Sequence, residues 1–243
     1  MTDSAAALGL AVPAYFHPAV ARRDWRRLVE LAHLIRFVIV NVHNGPGEDL
    51  DPTYVPVIDA LRAAGIRTIG YIDTDYGSRD AAELGREART YRERYGVDGV
   101  FLDQVSSSLE ELDHFAQCVV AVKTAGAQYV VLNPGSEPHP GYVDLANVTV
   151  TFEGSWAEYR SLTVPTWMQR YPQKRFCHLV HSLPKKYFAD ALDLAANRHA
   201  GGIFLSDGRG ANPWDRLPTP LPRELTRLRS QESRAAQSST LKP

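Results

Sequence analysis

Gly99-Val100-Phe101-Leu102-Asp103 is apolar up to its last position, which is a carboxylate. It is followed by Leu109–Ala125, where apolar residues recur at spacings of three and four, and then by Tyr129-Val130-Val131-Leu132-Asn133, a second apolar run with a polar end. A short apolar run between turn residues fits a strand buried on both faces, and the amphipathic stretch fits a helix covering one of them. Strand, helix and strand in that order form a parallel pair joined by a crossover.

The same alternation continues in both directions. Strands are expected at Leu8–Tyr15, Ile35–Asn41, Ile66–Asp73, Gly99–Asp103, Tyr129–Asn133, Val148–Glu153, Phe176–His181 and Gly201–Asp207. Helices are expected at Trp25–His33, Tyr54–Ala64, Ala81–Tyr95, Leu109–Ala125 and Lys185–Asn197. The fifth and sixth crossovers, around Tyr142–Ala146 and Trp156–Tyr159, are short, which leaves Val164–Met168 as a second position for the seventh strand. Successive strand ends lie 20 to 32 residues apart, the length of βα units. Eight such units close an α/β fold of the (β/α)8 TIM-type barrel class. A single barrel domain is expected over residues 1–222, and the polar segment 223–243 reads as a partly disordered tail.

Composition removes several classes of function. The 243 residues carry 27 Lys+Arg against 28 Asp+Glu, a net charge of −1, so no overall field attracts nucleic acid or an anionic membrane surface. No apolar run approaches the roughly 18–20 residues of a membrane span. Met1–Ala7 has no basic region of the kind that opens a secretory signal, so a cytoplasmic address is expected, or a secreted one if a leader has been removed. Cys118 and Cys177 have neither disulfide-framework nor zinc-knuckle spacing. G-x-S-x-G, G-x-x-x-x-G-K-[ST] and H-E-x-x-H are missing, and Gly45-Pro46-Gly47 lacks the third glycine of a dinucleotide fingerprint. No cofactor and no metal are expected, and the partner is a small molecule or an oligosaccharide.

In a (β/α)8 barrel the chemistry sits at the C-terminal ends of the strands. Here those ends are Tyr15, Asn41, Asp73, Asp103, Asn133, Glu153, His181 and Asp207. In Val148-Thr149-Val150-Thr151-Phe152-Glu153 a period of two puts the apolar residues on the helix side and Thr149, Thr151 and Glu153 on the other. Asp103 and Glu153 are the leading catalytic pair, because two carboxylates across a cleft, one protonated and one ionised, are what glycosidic cleavage needs. Burial and repulsion would separate their pKa values. The alternative is structural, with Asp103 capping the next helix and Glu153 in an ion pair. Around the end of the third strand, Asp73 and Asp75 offer carboxylates to sugar hydroxyls and Tyr71 and Tyr76 offer ring faces to a pyranose, while Ser78 or Asp80 is placed to cap a helix. Turn residues hold Asn41 and His43 ahead of Gly45-Pro46-Gly47, and Asn133 ahead of Pro134-Gly135. His17, His43 and His181 with Asp73 or Asp207 keep a metal site conceivable, without any supporting ligand spacing.

Six ordered motifs carry a resemblance: Val12-Pro13-Ala14-Tyr15, Asn41 to Gly47, Gly70 to Gly77, Tyr95 to Asp103, Leu132 to Gly135, and Phe152-Glu153. Together they resemble the spherulation-specific, spherulin-four-like family over roughly residues 8–207. Membership implies a glycoside hydrolase-like barrel related to enzymes that cut α-1,4-linked galactosamine or N-acetylgalactosamine polymers. It further implies acidic active-site roles for Asp103 and Glu153, with Tyr15, Asn41, Asp73 and Asn133 lining the cleft. The family pattern has Asp-Glu at the end of the fourth strand, and here the second position is Gln104, which cannot deliver a proton. The expected function is therefore carboxylate acid/base chemistry on an amino-sugar-containing glycan or a glycosylated small molecule. The alternatives are a non-hydrolytic tailoring enzyme of specialised metabolism (cyclisation, elimination or isomerisation) on the same barrel, and a catalytically inactive sugar-binding descendant.

Overall fold

The computed structural model describes residues 8–221 and 223–227. Eight parallel strands, β1 (Gly9–Ala14), β2 (Ile35–Val40), β3 (Thr68–Asp73), β4 (Gly99–Asp103), β5 (Tyr129–Leu132), β6 (Val148–Ser155), β7 (Phe176–His181) and β8 (Gly202–Leu205), pair in chain order. The ring closes where Gly9 and Leu10 of β1 meet Gly202 and Ile203 of β8. Closure leaves no sheet edge and explains why the strands are buried along most of their length.

Helices α1 (Arg22–Glu30), α2 (Tyr54–Ala63), α3 (Ala81–Tyr95), α4 (Leu112–Thr124), α5 (Gly141–Leu145), α6 (Trp156–Ser161) and α7 (Phe188–Asn197) follow the first seven strands. Asp80 caps α3 by accepting the Ala82 N–H, and Ser155 with Glu158 forms a capping box on α6. Gly70 has no side chain because the Tyr91 ring of α3 occupies that space, and the Tyr91 hydroxyl donates to the Val40 carbonyl. None of the described helices is long and apolar enough to cross a membrane.

Two local readings of the sequence change. Residues 164–168 are not the seventh strand, since Thr166–Arg170 is a 3-10 turn. The segment 162–175 instead covers the gap left by the short α5 and α6, with Met168 joining Val143 and Phe176 in a small second core against Val164, Trp167 and Tyr171. In β6 the pairing with β7 shifts between Val150 and Phe152, which stand level with the successive residues Cys177 and His178. Strict alternation from Val148 to Glu153 is therefore interrupted by a bulge, a device that re-aims side chains beside active sites.

Residues 220–227, apart from 222, are helical, and Leu221 and Leu225 are fully buried in the main core. The remainder of the expected tail, from 228 onward, lies outside the described residues. Leu225→Ala is expected to cost about 2–5 kcal/mol, the range for truncating a buried leucine. A denaturant midpoint equal to the parent's would show that this helix adds nothing to the barrel.

Candidate active site

The strands deliver their C-terminal residues to one end, where a cavity of about 630 Å³ opens. Asp103 of β4 and Glu153 of β6 line it together with Tyr15, Tyr71 and Leu179. One wall carries Asn41, Val42, Asn44 and Tyr54, and another carries His181 and residues 210–214. The last of these walls is tied to the residue that follows β1, because the Asn212 amide donates to the Tyr15 carbonyl.

Asn133 organises the two carboxylates. Its Nδ2 donates to Oδ1 of Asp103 and to Oε2 of Glu153, both at 2.6 Å. Two oxygens that share one nitrogen at that distance lie within about 5.2 Å of each other. The reverse amide orientation would set a carbonyl oxygen against both carboxylates. Asn133 is only 5 % exposed, and its backbone is laced to β4, donating to Leu102 and accepting from Val105. Gly135, at φ +66, turns the loop so that its carbonyl accepts the Glu153 N–H at 2.8 Å.

This setting changes the acidity of both groups. Burial pushes the Glu153 carboxyl up to about 7, the neighbouring Asp103 charge adds to the shift, and hydrogen bonds from Asn133 and the Trp214 indole oppose it. Asp103 is also raised by burial, against hydrogen bonds from Tyr71, Asn133 and the Gln104 backbone. Tyr15, packed edge-on to Tyr71 at 5.5 Å, is held protonated well beyond its ordinary value by burial and by the two carboxylates. Glu153 therefore exchanges its proton close to neutral pH, beside a second acid that burial also raises and with neutral phenols around it. Neither Asp103 nor Glu153 takes the structural role weighed against catalysis: α4 begins only at Leu112, and no salt bridge to either is formed among the described residues.

Of the residues expected from sequence, Tyr15, Asn41, Asp103, Glu153 and His181 meet in the cavity, and Asn133 bridges the carboxylates without lining it. His43, Asp73, Asp75, Tyr76, Gln104 and Asp207 are not brought into the lining. His43 is exposed on its turn, and the neighbouring Val42 and Asn44 face the cavity instead. Asp73 accepts the Asp75 N–H and the Gln104 side-chain amide, so both Asp73 and Gln104 are occupied beside the site. Asp75 and Tyr76 stand on an exposed turn. Asp207 forms ion pairs with Arg216 at 3.2 Å and Lys185 at 3.8 Å.

His17 does line the cavity, but its Nε2 meets Asp51 at 2.9 Å and its Nδ1 accepts the Ala19 N–H, so both nitrogens are engaged. Among the described residues no three His, Cys, Asp or Glu side chains are grouped to hold a metal ion. Sequence reasoning did not single out Tyr54, Asn44, Asn212 or Trp214. The available signal for Trp214 was its position: a tryptophan in the Gly/Pro-rich loop that follows a barrel strand.

The sequence profile described as Spherulation-specific family 4 matches residues 9–226. Spherulin-4 of Physarum polycephalum is 27 % identical over 232 residues, covering 89 % of this chain and 69 % of that protein. Among solved structures, Aspergillus clavatus Sph3 in complex with GalNAc superposes with a TM-score of 0.77 at 22 % identity, covering 90 % of this chain and 96 % of that one. A chitinase from Chromobacterium violaceum superposes with a TM-score of 0.58 at 10 % identity, covering 91 % and 98 %. Such low identities between structures establish a shared barrel and leave the chemistry to be argued from the site.

Proposed function

The chain belongs to spherulation-specific family 4, and on that footing we propose that it is a glycoside hydrolase acting on an amino-sugar-containing glycan or a glycosylated small molecule. The observation that carries this reading is the pair of buried carboxylates held on one Asn133 nitrogen at the wall of an open cavity. Such a pair can do little for the stability of the fold, and burying two acids together costs free energy that structural residues would not impose.

Glu153, protonated near neutral pH, gives its proton to the glycosidic oxygen as the bond to the leaving sugar breaks. Asp103, ionised, attacks the anomeric carbon and forms a glycosyl ester. Water, deprotonated by Glu153, then cleaves that ester and regenerates both groups. The two oxygens bound by Asn133 lie within about 5.2 Å of each other, a closeness that suits direct attack by Asp103 and hence the retaining course. The support from relatives is one of kind: the solved structure superposing at a TM-score of 0.77 is a complex with GalNAc, an amino sugar.

Incubation with partially deacetylated α-1,4-galactosaminan is expected to yield shorter chains whose new reducing ends appear first as the α anomer by NMR. Absence of new reducing ends from this polymer and from a panel of glycosylated small molecules would overturn the hydrolase reading. Saturable binding without cleavage would instead identify a sugar-binding protein, the reading favoured by Gln104 standing where the family's glutamate is expected.

A further inference from the structure

Resting on that reading, we propose that Trp214 is a positioning residue for the Glu153 acid, held against it by a loop that is latched on the buried Ser206 hydroxyl. The loop runs on from β8 and closes one wall of the cavity.

The latch is a single side chain. Ser206 is fully buried, and its Oγ donates to the Pro213 carbonyl at 2.6 Å and accepts the Gly208 N–H at 2.9 Å. The two arms of the loop thus meet on one hydroxyl, so closely that a Cβ on Gly208 would collide with the Pro213 carbonyl. The backbone of the same stretch is fastened to β7 and the residues after it. Ser206 donates to the Val180 carbonyl at 2.8 Å and accepts from Leu183 at 3.0 Å, and the Gly208 carbonyl accepts the Ser182 N–H at 2.9 Å. Further along, Oδ1 of Asn212 accepts the Trp214 N–H at 3.1 Å while its Nδ2 reaches the Tyr15 carbonyl. Loops at a barrel mouth are ordinarily its mobile parts, and this one is tied down along its length.

What the loop delivers is an indole. Trp214 is 4 % exposed although it lines the cavity, and its ring packs edge-on against His181 and Phe204, each at 5.9 Å. Its N–H bonds to the Glu153 carboxyl. An indole nitrogen only donates, so Glu153 keeps its own hydrogen for a ligand in the cavity. The bond is stronger to the ionised carboxylate, and its loss therefore raises the pH at which Glu153 releases its proton. The other groups around Glu153 are Asp103 of β4, the Asn133 amide, the phenols Tyr15 and Tyr71, the Cys177 thiol of β7, and His181. Burial raises the phenols and the thiol and lowers His181, so these four are uncharged near neutral pH, and the charge acting on Glu153 is that of Asp103. Asn133 bonds to both acids, whereas the hydrogen bonds that reach Asp103 come from Tyr71, Asn133 and the Gln104 backbone. Trp214 thus tunes one acid of the pair.

Carboxyl-13C glutamate labelling follows the Glu153 titration by NMR with no substrate present. The Glu153 signal, identified by its loss in Glu153→Gln, is expected to titrate near 7 in the parent. In Trp214→Phe, which keeps a ring against His181 and Phe204 but has no N–H, the midpoint is expected about one pH unit higher, an ordinary effect of one hydrogen bond to a carboxylate. Ser206→Ala is expected to move it in the same direction by a smaller step. On a glycoside that is cleaved, the alkaline limb of the pH–rate profile moves with the midpoint in Trp214→Phe, and the acid limb, set by Asp103, stays. A parental Glu153 midpoint in folded Trp214→Phe overturns the positioning role and leaves the indole as packing. A parental midpoint in Ser206→Ala overturns the latch. A raised midpoint in a protein that cleaves no glycoside upholds the contact and overturns the hydrolase reading alone.

Discussion

Glu153→Gln is expected to lower kcat/KM on any glycoside the protein cleaves by about 10²–10⁴-fold, the contribution of a positioned general acid. Glutamine keeps the shape of the side chain and can still accept the hydrogen bonds that Asn133 and Trp214 direct at Glu153, but it carries no transferable proton. The same change is expected to raise stability above neutral pH. In the folded protein the Glu153 carboxyl titrates near 7 rather than at its ordinary 4.5, so between those values the folded state holds a proton that the unfolded chain has released. Stability therefore declines as pH rises through that window, and the full penalty persists above it. Glutamine escapes the penalty. Thermal unfolding should place the variant above the parent at pH 8, with the gap closing near pH 4. Loss of both turnover and stability at every pH would assign Glu153 a structural role and remove it from the reaction.

The barrel was legible because its evidence is periodic and repeated eight times. Apolar runs such as Gly99–Asp103 and Phe176–His181 coincide with their strands, and the pattern needs no knowledge of contacts across the molecule. The carboxylate pair was legible for a related reason: in a closed barrel, the end of a strand is also a position in the mouth. What remained hidden depends on where loops turn in space. The bulge between Val150 and Phe152 has no signature in an alternating run of valine and threonine, yet it sets which residues face β7. Asp207 is as polar as Asp103 and also follows an apolar run, but Arg216, nine residues later, pairs with it on the loop that carries Trp214 into the cavity. Gln104 sits one residue beyond Asp103 in a left-handed conformation (φ 53), and there its amide meets Asp73 instead of the cavity. Strand period cannot foresee that reversal, because it begins only where the strand has ended.

Asn133→Ala is expected to reduce kcat by about 10²–10³-fold, the cost of deleting one preorganised donor, even though no bond is made or broken at this residue. The loss has two sources. The Asn133 nitrogen fixes the separation of the two carboxylates, so its removal frees both side chains to move apart under their mutual repulsion. It also stabilises the ionised form of each, lowering the pKa of Asp103 and of Glu153 against the effect of burial. Without it both should titrate at higher pH. The alkaline limb of the pH–rate profile, set by loss of the Glu153 proton, then moves upward from about 7. The acid limb, set by protonation of Asp103, moves in the same direction. Alanine preserves the backbone hydrogen bonds that Asn133 makes with Leu102 and Val105, so the loop stays anchored to β4 and the side chain alone is tested. A uniform fall in rate with both limbs unmoved would mean that Asn133 packs the site without tuning it. A displacement of both limbs would identify the amide as the group that keeps one proton between two acids.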